Sequence, residues 1–413
     1  MASDSDVKLG EEPEYEEKLD EAPKSILLGM MRQLKSGMDL SRVTLPTFIL
    51  EPRSFLEKCS DFMAHGSIIL DLAKISDPHQ RFLCVCKWYL AGWYNKPPGV
   101  KKPYNPILGE VFRCRWEHGD KGTTHYVAEQ VSHHPPISAF HFVNRKAGWS
   151  LHAVIRPKSK FLGNSAASLM EGEGILVLHE LGEEYHITFP SYYVRGLLLG
   201  TMRMEMAGDV KITCQKTGLE MNGTYKNKGY FSGENNSIEA KIAPIGTKDT
   251  IYKINGRWDR ELTLEEKKTK STRVLLDIAA EKSQSFHPLT IDQDSNQQVY
   301  ESRRVWQHVS KAIRANNHDA AAVQKSKLED GQRAGKKERE ERGEEWVPRL
   351  FENPEGHTDH SSIKWRFKFQ RSAPFQQGDV DEEAFDQEIR NLHQTHPGQL
   401  AVGRELAAEL ASQ

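Results

Sequence analysis

Apolar residues recur at helical spacing early in this chain and at alternate positions through its middle. In Ser25–Gly37, Leu27, Met30, Met31 and Leu34 fall on one helical face. That segment reads either as a core helix or as a mobile lid that touches membrane. Thr44–Glu51 is a short apolar stretch interrupted by Pro46, and Phe55, Leu56, Cys59, Phe62 and Met63 return to helical spacing. Asp77-Pro78 predicts a helix start ahead of the strongly apolar Phe82–Tyr94.

Alternation begins near Phe112, Cys114 and Trp116 and continues at Tyr126 and Ala128. To about residue 262, short strand-like runs lie between Gly, Asn and charged turns, among them Gly174–Leu178, Tyr185–Phe189, Asp209–Cys214 and Ser237–Ile242. So many closely spaced strands predict a large antiparallel sheet or barrel. Helical spacing returns at Val305, Trp306, Val309 and Ile313, and again from Asp319 to about Glu341. Ile363–Phe369 alternates as a strand with a basic face, and Glu382–Leu410 reads as a solvated helix.

Charge changes the picture by exclusion. Lys plus Arg number 56 and Asp plus Glu 58 in 413 residues, so a general polyanion or nucleic-acid binder is not expected. Any anion must be met by a local cluster. The five cysteines are irregularly spaced, and Cys84-Val-Cys86 lacks the second pair a zinc site needs. Neither a metal nor a cofactor is expected. The acidic, polar start shows no signal-peptide pattern, and no apolar run is long enough to span a bilayer. The chain is therefore expected to be cytoplasmic, with peripheral and transient membrane contact. Glu11–Glu21, just before the lid segment, is expected to repel anionic membranes.

Three segments set polar groups among apolar ones. Lys102-Pro-Tyr-Asn-Pro-Ile-Leu-Gly-Glu110 contains Lys102, Asn105 and Glu110. Glu129-Gln-Val-Ser-His-His-Pro-Pro136 presents His133 and His134 on a stretch stiffened by two prolines. Lys325, Glu329 and Arg333 are spaced four and four, on one helical face. Arg333 can grip a phosphate bidentately, Lys325 can act as a point charge, and Glu329 can orient either or accept from a hydroxyl. Such a set suits a phosphorylated polyol. Plain alternatives exist for each part: a solvated helix face for the triplet, a structural role for the histidines. Ser132 beside His133 raises an esterase reading, but no Gly-x-Ser-x-Gly elbow accompanies it.

Together these segments resemble the ligand-binding domain of the oxysterol-binding-protein-related lipid transfer family, from about residue 25 to about 375. The resemblance implies an α+β, mainly β fold: an incomplete antiparallel barrel around a hydrophobic tunnel, with an N-terminal helical lid and a C-terminal helical region. It implies a disordered segment 1–22, a lid 23–43, a lipid-binding domain 44–375 and a helical tail 376–413. It implies no enzyme, but extraction of one lipid in exchange for phosphatidylinositol 4-phosphate. His133, His134 and Arg333 would hold the 4-phosphate, and Lys102, Asn105, Lys325 and Glu329 the rest of the headgroup. Leu45, Asn105 and Ser159 resemble the phosphatidylserine-transporting subgroup, while a sterol exchanger on the same scaffold is the alternative. Contact sites between endoplasmic reticulum and plasma membrane are the implied place of action; protein partners stay open. Gly331 departs from a good helix sequence at a cost of about 1 kcal/mol, which is expected to loosen the triplet helix.

Overall fold

The structure is a computed structural model of the chain. It describes residues 29, 35–40, 46–94, 101–198, 202–226, 236–293, 296–354, 364–369, 384, 387–389, 391 and 400–412. Segment 1–22, the lid residues Leu27, Met30, Met31 and Leu34, Leu45, Ile363 and most of 376–399 lie outside these residues.

Strand β1 (Leu50–Ser54) pairs in parallel with β2 (Lys102–Tyr104). The chain then runs through β3 (Val111–Glu117), β4 (Thr123–His133), β5 (Pro136–Asn144), β6 (Trp149–Phe161), β7 (Ser165–Leu178), β8 (Glu183–Ile187) and β9 (Ser191–Arg195). It continues through β10 (Arg203–Cys214), β11 (Leu219–Lys226), β12 (Ser237–Pro244), β13 (Tyr252–Arg257), β14 (Glu261–Glu266) and β15 (Thr272–Asp277). Strands β3 to β15 form one 13-stranded antiparallel sheet whose path begins at β3 and ends at β15. Those two ends do not pair, so the barrel is incomplete. The free edge of β3 is covered by the later chain: Arg115 and Thr290 exchange backbone hydrogen bonds, and Val111 N donates to Tyr300 O at 2.9 Å. The expected strand series is present and runs one strand past residue 262.

Both faces of the central strands are buried. Tyr126, Ala128, Phe140 and Phe142 point into one core, while Val127, Val131, Ile137 and Ala139 point into a second. Helix α2 (Pro78–Ala91) fills the first core. Asp77 caps it by accepting from His79 N at 2.8 Å, with Pro78 in its first turn. Its Phe82, Val85, Trp88, Tyr89 and Leu90 are all fully buried on a broad apolar face, while Gln80 is exposed and Lys87 half-buried on the remaining side. The short helix α1 (Phe55–Lys58) precedes it.

Helix α3 (Ile278–Gln284) packs on the first core through Ile278. The second core takes α4 (Ser302–Val305), α5 (Gln307–Arg314), α6 (His318–Arg342) and α7 (Arg404–Ser412). Helix α6 starts at an Asn317 cap and ends at Gly343 with a φ of 67°, close to the expected Asp319–Glu341. The Ile363–Phe369 strand shrinks to β17 (Arg366–Phe367), paired with β16 (Phe351–Glu352). Trp365 and Phe367 are buried and Arg366 is exposed, as the alternation required.

Two expectations are corrected. The expected Glu382–Leu410 helix is neither continuous nor fully solvated. Among the described residues, 384 and 387–389 are helical, 400–403 are not, and helix resumes at Arg404; Ile389, Leu400, Val402, Leu406 and Leu410 are buried in the second core. Hydrophobic packing claims a segment whose composition looked solvated. Gly331 is not a weak point either. A Cβ there would lie 2.2 Å from Leu406 Cδ2, so the glycine admits α7 against α6.

Three buried histidines generate a pH prediction. Burial holds His65 and His118 down to about 4 and His141 to about 3. A base lowered in the fold is protonated first in the unfolded chain. Its stability contribution is full above about pH 6.5 and is lost as pH falls toward 4. Each such group should remove about 1.4 kcal/mol per pH unit across that window. Glu110 and Glu129, raised by burial, oppose the trend. Urea unfolding at pH 7.5 and pH 5 should show a lower midpoint at pH 5, and His141→Asn should reduce the difference.

Candidate anion-and-lipid site

The octet sorts itself by strand position. β4 ends at His133 and β5 begins at Pro136, so His134 and Pro135 make the turn. Glu129 is fully buried and accepts from Arg349 N and Leu350 N, both at 2.7 Å. Gln130 Nε2 donates to Ser132 O, and Ser138 Oγ donates to Gln130 Oε1. Ser132 Oγ donates to Pro135 O at 2.7 Å, within its own turn. Its hydroxyl is spent on that turn, not presented to a base as a hydrolase nucleophile would be. These side chains build the hairpin, and His133 and His134 carry its chemistry.

The Lys102–Glu110 segment divides in the same way. Glu110 is fully buried and accepts from Ser54 Oγ, from Ser302 Oγ at 2.6 Å, and from Ile107 N and Trp306 Nε1 at 2.9 Å each. Burial still raises its pKa, against the lowering effect of those four donors. Gly109 has a φ of 78°, and a Cβ there would fall 2.3 Å from the Trp346 ring. The Gly-Glu pair therefore pins the loop. Lys102 and Asn105 at its start stay exposed.

Those residues open onto one cavity of about 1130 Å³. Its apolar walls include Phe55, Phe62, Leu151, Ile155, Phe189 and Met204. Lys102, Asn105, His133, His134, Lys325, Glu329 and Arg333, drawn from three distant parts of the chain, all line it. Ser159 lines it too, from β6 opposite Ser168 of β7. Leu45 and the lid positions fall outside the described residues.

Electrostatics at the mouth are strained. Lys102 opens onto the cavity yet is crowded by protein, and desolvation pushes its pKa down to about 8, with Lys325 adding to the fall and Glu329 opposing it. Desolvation likewise lowers His133 to about 4, helped by His134 and Lys336, so the ring is neutral near pH 7. The two imidazoles meet edge to face at 4.4 Å. Lys325 is paired with Glu329 on α6, and the exposed Arg333 is paired with Asp330 one turn away.

Sequence reasoning missed Gln332. It is buried, its Oε1 accepts from Leu108 N at 2.8 Å, and its Nε2 lies 2.9 Å from His133 Nε2. One amide thus ties α6, the Lys102–Glu110 loop and the octet together. Its only sequence signal was its place beside Arg333 on the cavity face. Lys101 and Lys336 also line the cavity and add positive charge.

Comparisons with known proteins follow the same segments. The family model for oxysterol-binding protein matches residues 27–314 and 310–374. Oxysterol-binding protein 4 of Dictyostelium discoideum is 42% identical over 378 residues, covering 89% of this chain and 78% of that protein. Oxysterol-binding protein-related protein 5 of Mus musculus is 41% identical over 376 residues, covering 89% of this chain and 42% of that protein. The chain thus spans about two fifths of the length of the mouse relative. The Osh1 ORD domain in complex with ergosterol superposes with a TM-score of 0.68 at 22% identity, covering 92% of this chain and 89% of that one. The Osh3 ORD in complex with PI(4)P from Saccharomyces cerevisiae gives 0.64 at 21% identity, covering 89% and 92%. At those identities the likeness shows the shared barrel-like fold.

Two predictions follow from the geometry. An anion that pairs with Lys102 raises its pKa, so binding takes up a proton above about pH 8. Affinity for a phosphate monoester should be flat from pH 6.5 to 7.5 and fall as pH rises through 8 to 9 by titration calorimetry; Lys102→Arg should remove that fall. Gln332→Ala should weaken the same binding about tenfold, the effect of roughly one lost hydrogen bond to a positioned group. Unchanged affinity would remove Gln332 from the site.

Proposed function

The chain belongs to the oxysterol-binding protein family, and from that premise we propose that it is a lipid exchanger. It extracts phosphatidylserine from one membrane and returns phosphatidylinositol 4-phosphate, without chemical turnover. One observation carries this reading: a large apolar cavity whose mouth gathers two histidines, several cations and a carboxylate. Two acyl chains hold roughly 30 methylenes, and exposing them costs on the order of 25 kcal/mol. A carrier must enclose them and leave selection to polar groups at the entrance. The cavity also exceeds the roughly 300–1,000 Å³ typical of sites for small ligands.

In this reading His133, His134 and Arg333 hold the 4-phosphate, and Lys102, Asn105, Lys325 and Glu329 hold the inositol and its linkage. Arg333 exchanges Asp330 for the phosphate, and Lys325 shares its charge between Glu329 and the ligand. Leu45, Asn105 and Ser159 select the serine headgroup. The 23–43 segment is the lid, closing over a loaded cavity and releasing the protein from the bilayer. The domain is 44–375, preceded by an acidic segment 1–22 and followed by a tail 376–413. It acts peripherally at anionic membrane surfaces, such as contacts between endoplasmic reticulum and plasma membrane. No described helix is long and apolar enough to cross a membrane.

A sterol is the competing second cargo, favoured by the shared fold with a domain solved with ergosterol. Lipids co-purified with the protein, identified by native mass spectrometry, distinguish the two. His133→Ala with His134→Ala should abolish extraction of phosphatidylinositol 4-phosphate from liposomes and spare the other lipid; surviving extraction would refute the headgroup assignment. Leu45→Asp should selectively weaken phosphatidylserine uptake, and equal loss of both lipids would count against its role in selection.

A further inference from the structure

The matched family segment ends at residue 374, yet the chain returns to the site beyond it. Ala401 N donates to Leu108 O at 3.2 Å, and Gly403 N donates to Gly331 O at 2.7 Å. Arg339 Nη1 donates to Ala401 O at 3.1 Å, Arg404 N donates to Glu338 Oε1 at 3.3 Å, and Lys327 pairs with Glu409. Leu400, Val402, Leu406 and Leu410 are buried beneath this seam. The segment 400–412 therefore bonds both elements that hold the proposed headgroup, the Lys102–Glu110 loop and α6.

It does so from the flank. At about 100° per residue, Lys325, Glu329, Gln332 and Arg333 share one side of α6, while Gly335 lies about 105° and Gly331 about 145° round from the middle of that side. Contact there is backbone to backbone. A Cβ on Gly335 would lie 2.5 Å from Val402 C and 2.6 Å from Ala401 O. A Cβ on Gly403 would lie 2.9 Å from Ala334 Cβ. The carbonyl of Leu108 takes the tail, and its N–H takes Gln332, whose amide reaches His133. A continuous set of contacts joins the tail to the phosphate-holding imidazole.

We propose that residues 400–412 are a brace that sets affinity for the phosphorylated headgroup, through the register of α6 against the Lys102–Glu110 loop, without shaping the apolar cavity. None of the brace residues lines that cavity. Anything that lifts the segment lowers headgroup affinity and leaves the acyl-chain site intact. The brace rests on the phosphoinositide reading of the site.

The test uses the full chain, a chain ending at Gln399, Gly335→Ala in each, and two probes. A soluble short-chain phosphatidylinositol 4-phosphate reports the headgroup, and a pyrene-labelled phospholipid reports the cavity. Alanine is a better helix former than glycine, so Gly335→Ala strengthens α6 itself while displacing the tail backbone. Expected results are headgroup binding at least tenfold weaker in the truncated chain and in Gly335→Ala, with pyrene-lipid binding within twofold of the full chain. Gly335→Ala should add nothing once the tail is gone. Unchanged headgroup binding overturns the brace, and so does equal loss of both probes, which marks a general stabiliser. If the full chain binds no headgroup, the functional reading fails instead. Amide exchange then decides the brace: faster exchange at Leu108 and Leu328–Gln332 in the truncated chain supports it, and unchanged exchange overturns it.

Discussion

A buried carboxylate organises this site. Glu110 sits out of water and stays tolerable because four donors converge on it, from β1, its own loop, α4 and the Trp306 indole. A charge or polar group buried without such partners costs several kcal/mol, so those four pieces cannot drift apart cheaply. The loop held in this way presents Lys102 and Asn105 at one end and Leu108 at the other. The Lys102–Asn105 end faces the cavity, and Leu108 takes Gln332 and the C-terminal segment. Remove the shared carboxylate and the loop loses its reason to stand between barrel and α6.

The cavity mouth shows the opposite economy. Lys102 and His133 are placed where desolvation opposes their charged forms. Lys102 is pushed toward neutrality and His133 is held neutral. Glu329 and Asp330 supply temporary partners for Lys325 and Arg333. In the proposed reading, a dianionic phosphate would give Lys102, Lys325 and Arg333 a shared anionic partner. Preorganisation of that kind turns a modest number of polar groups into selective recognition. In the same reading, the apolar walls behind them would supply most of the affinity for acyl chains but little discrimination between headgroups.

Legibility varied along the chain for physical reasons. The α6 boundaries were readable, since Asn317 and Gly343 are local signals that act within a turn. Strands were readable as a series, but not the faces of β4 and β5. Those two are buried on both sides, and alternation weakens when both faces are apolar. Within the octet, His133 and His134 stood out as candidate ligands, but only the hairpin showed that Glu129, Gln130 and Ser132 are spent on building it. Gln332 was silent because a single amide beside charged neighbours has no pattern of its own. The tail misled outright: its many polar residues suggested a solvated helix, while the leucines that matter are few and separated.

By itself, the sequence determined that this chain builds a large antiparallel barrel, carries a triplet helix and belongs to one lipid-binding family. Those properties follow from periodicity and from motifs whose residues sit close together in the chain. The resemblance anticipated that His133, Lys102 and Lys325 meet; tertiary structure alone decided that Gln332 and the residues after 400 bond the elements carrying them. Such contacts join residues as distant as Leu108 and Ala401. No local period encodes a pairing of that kind, since it depends on how both faces of the sheet are filled.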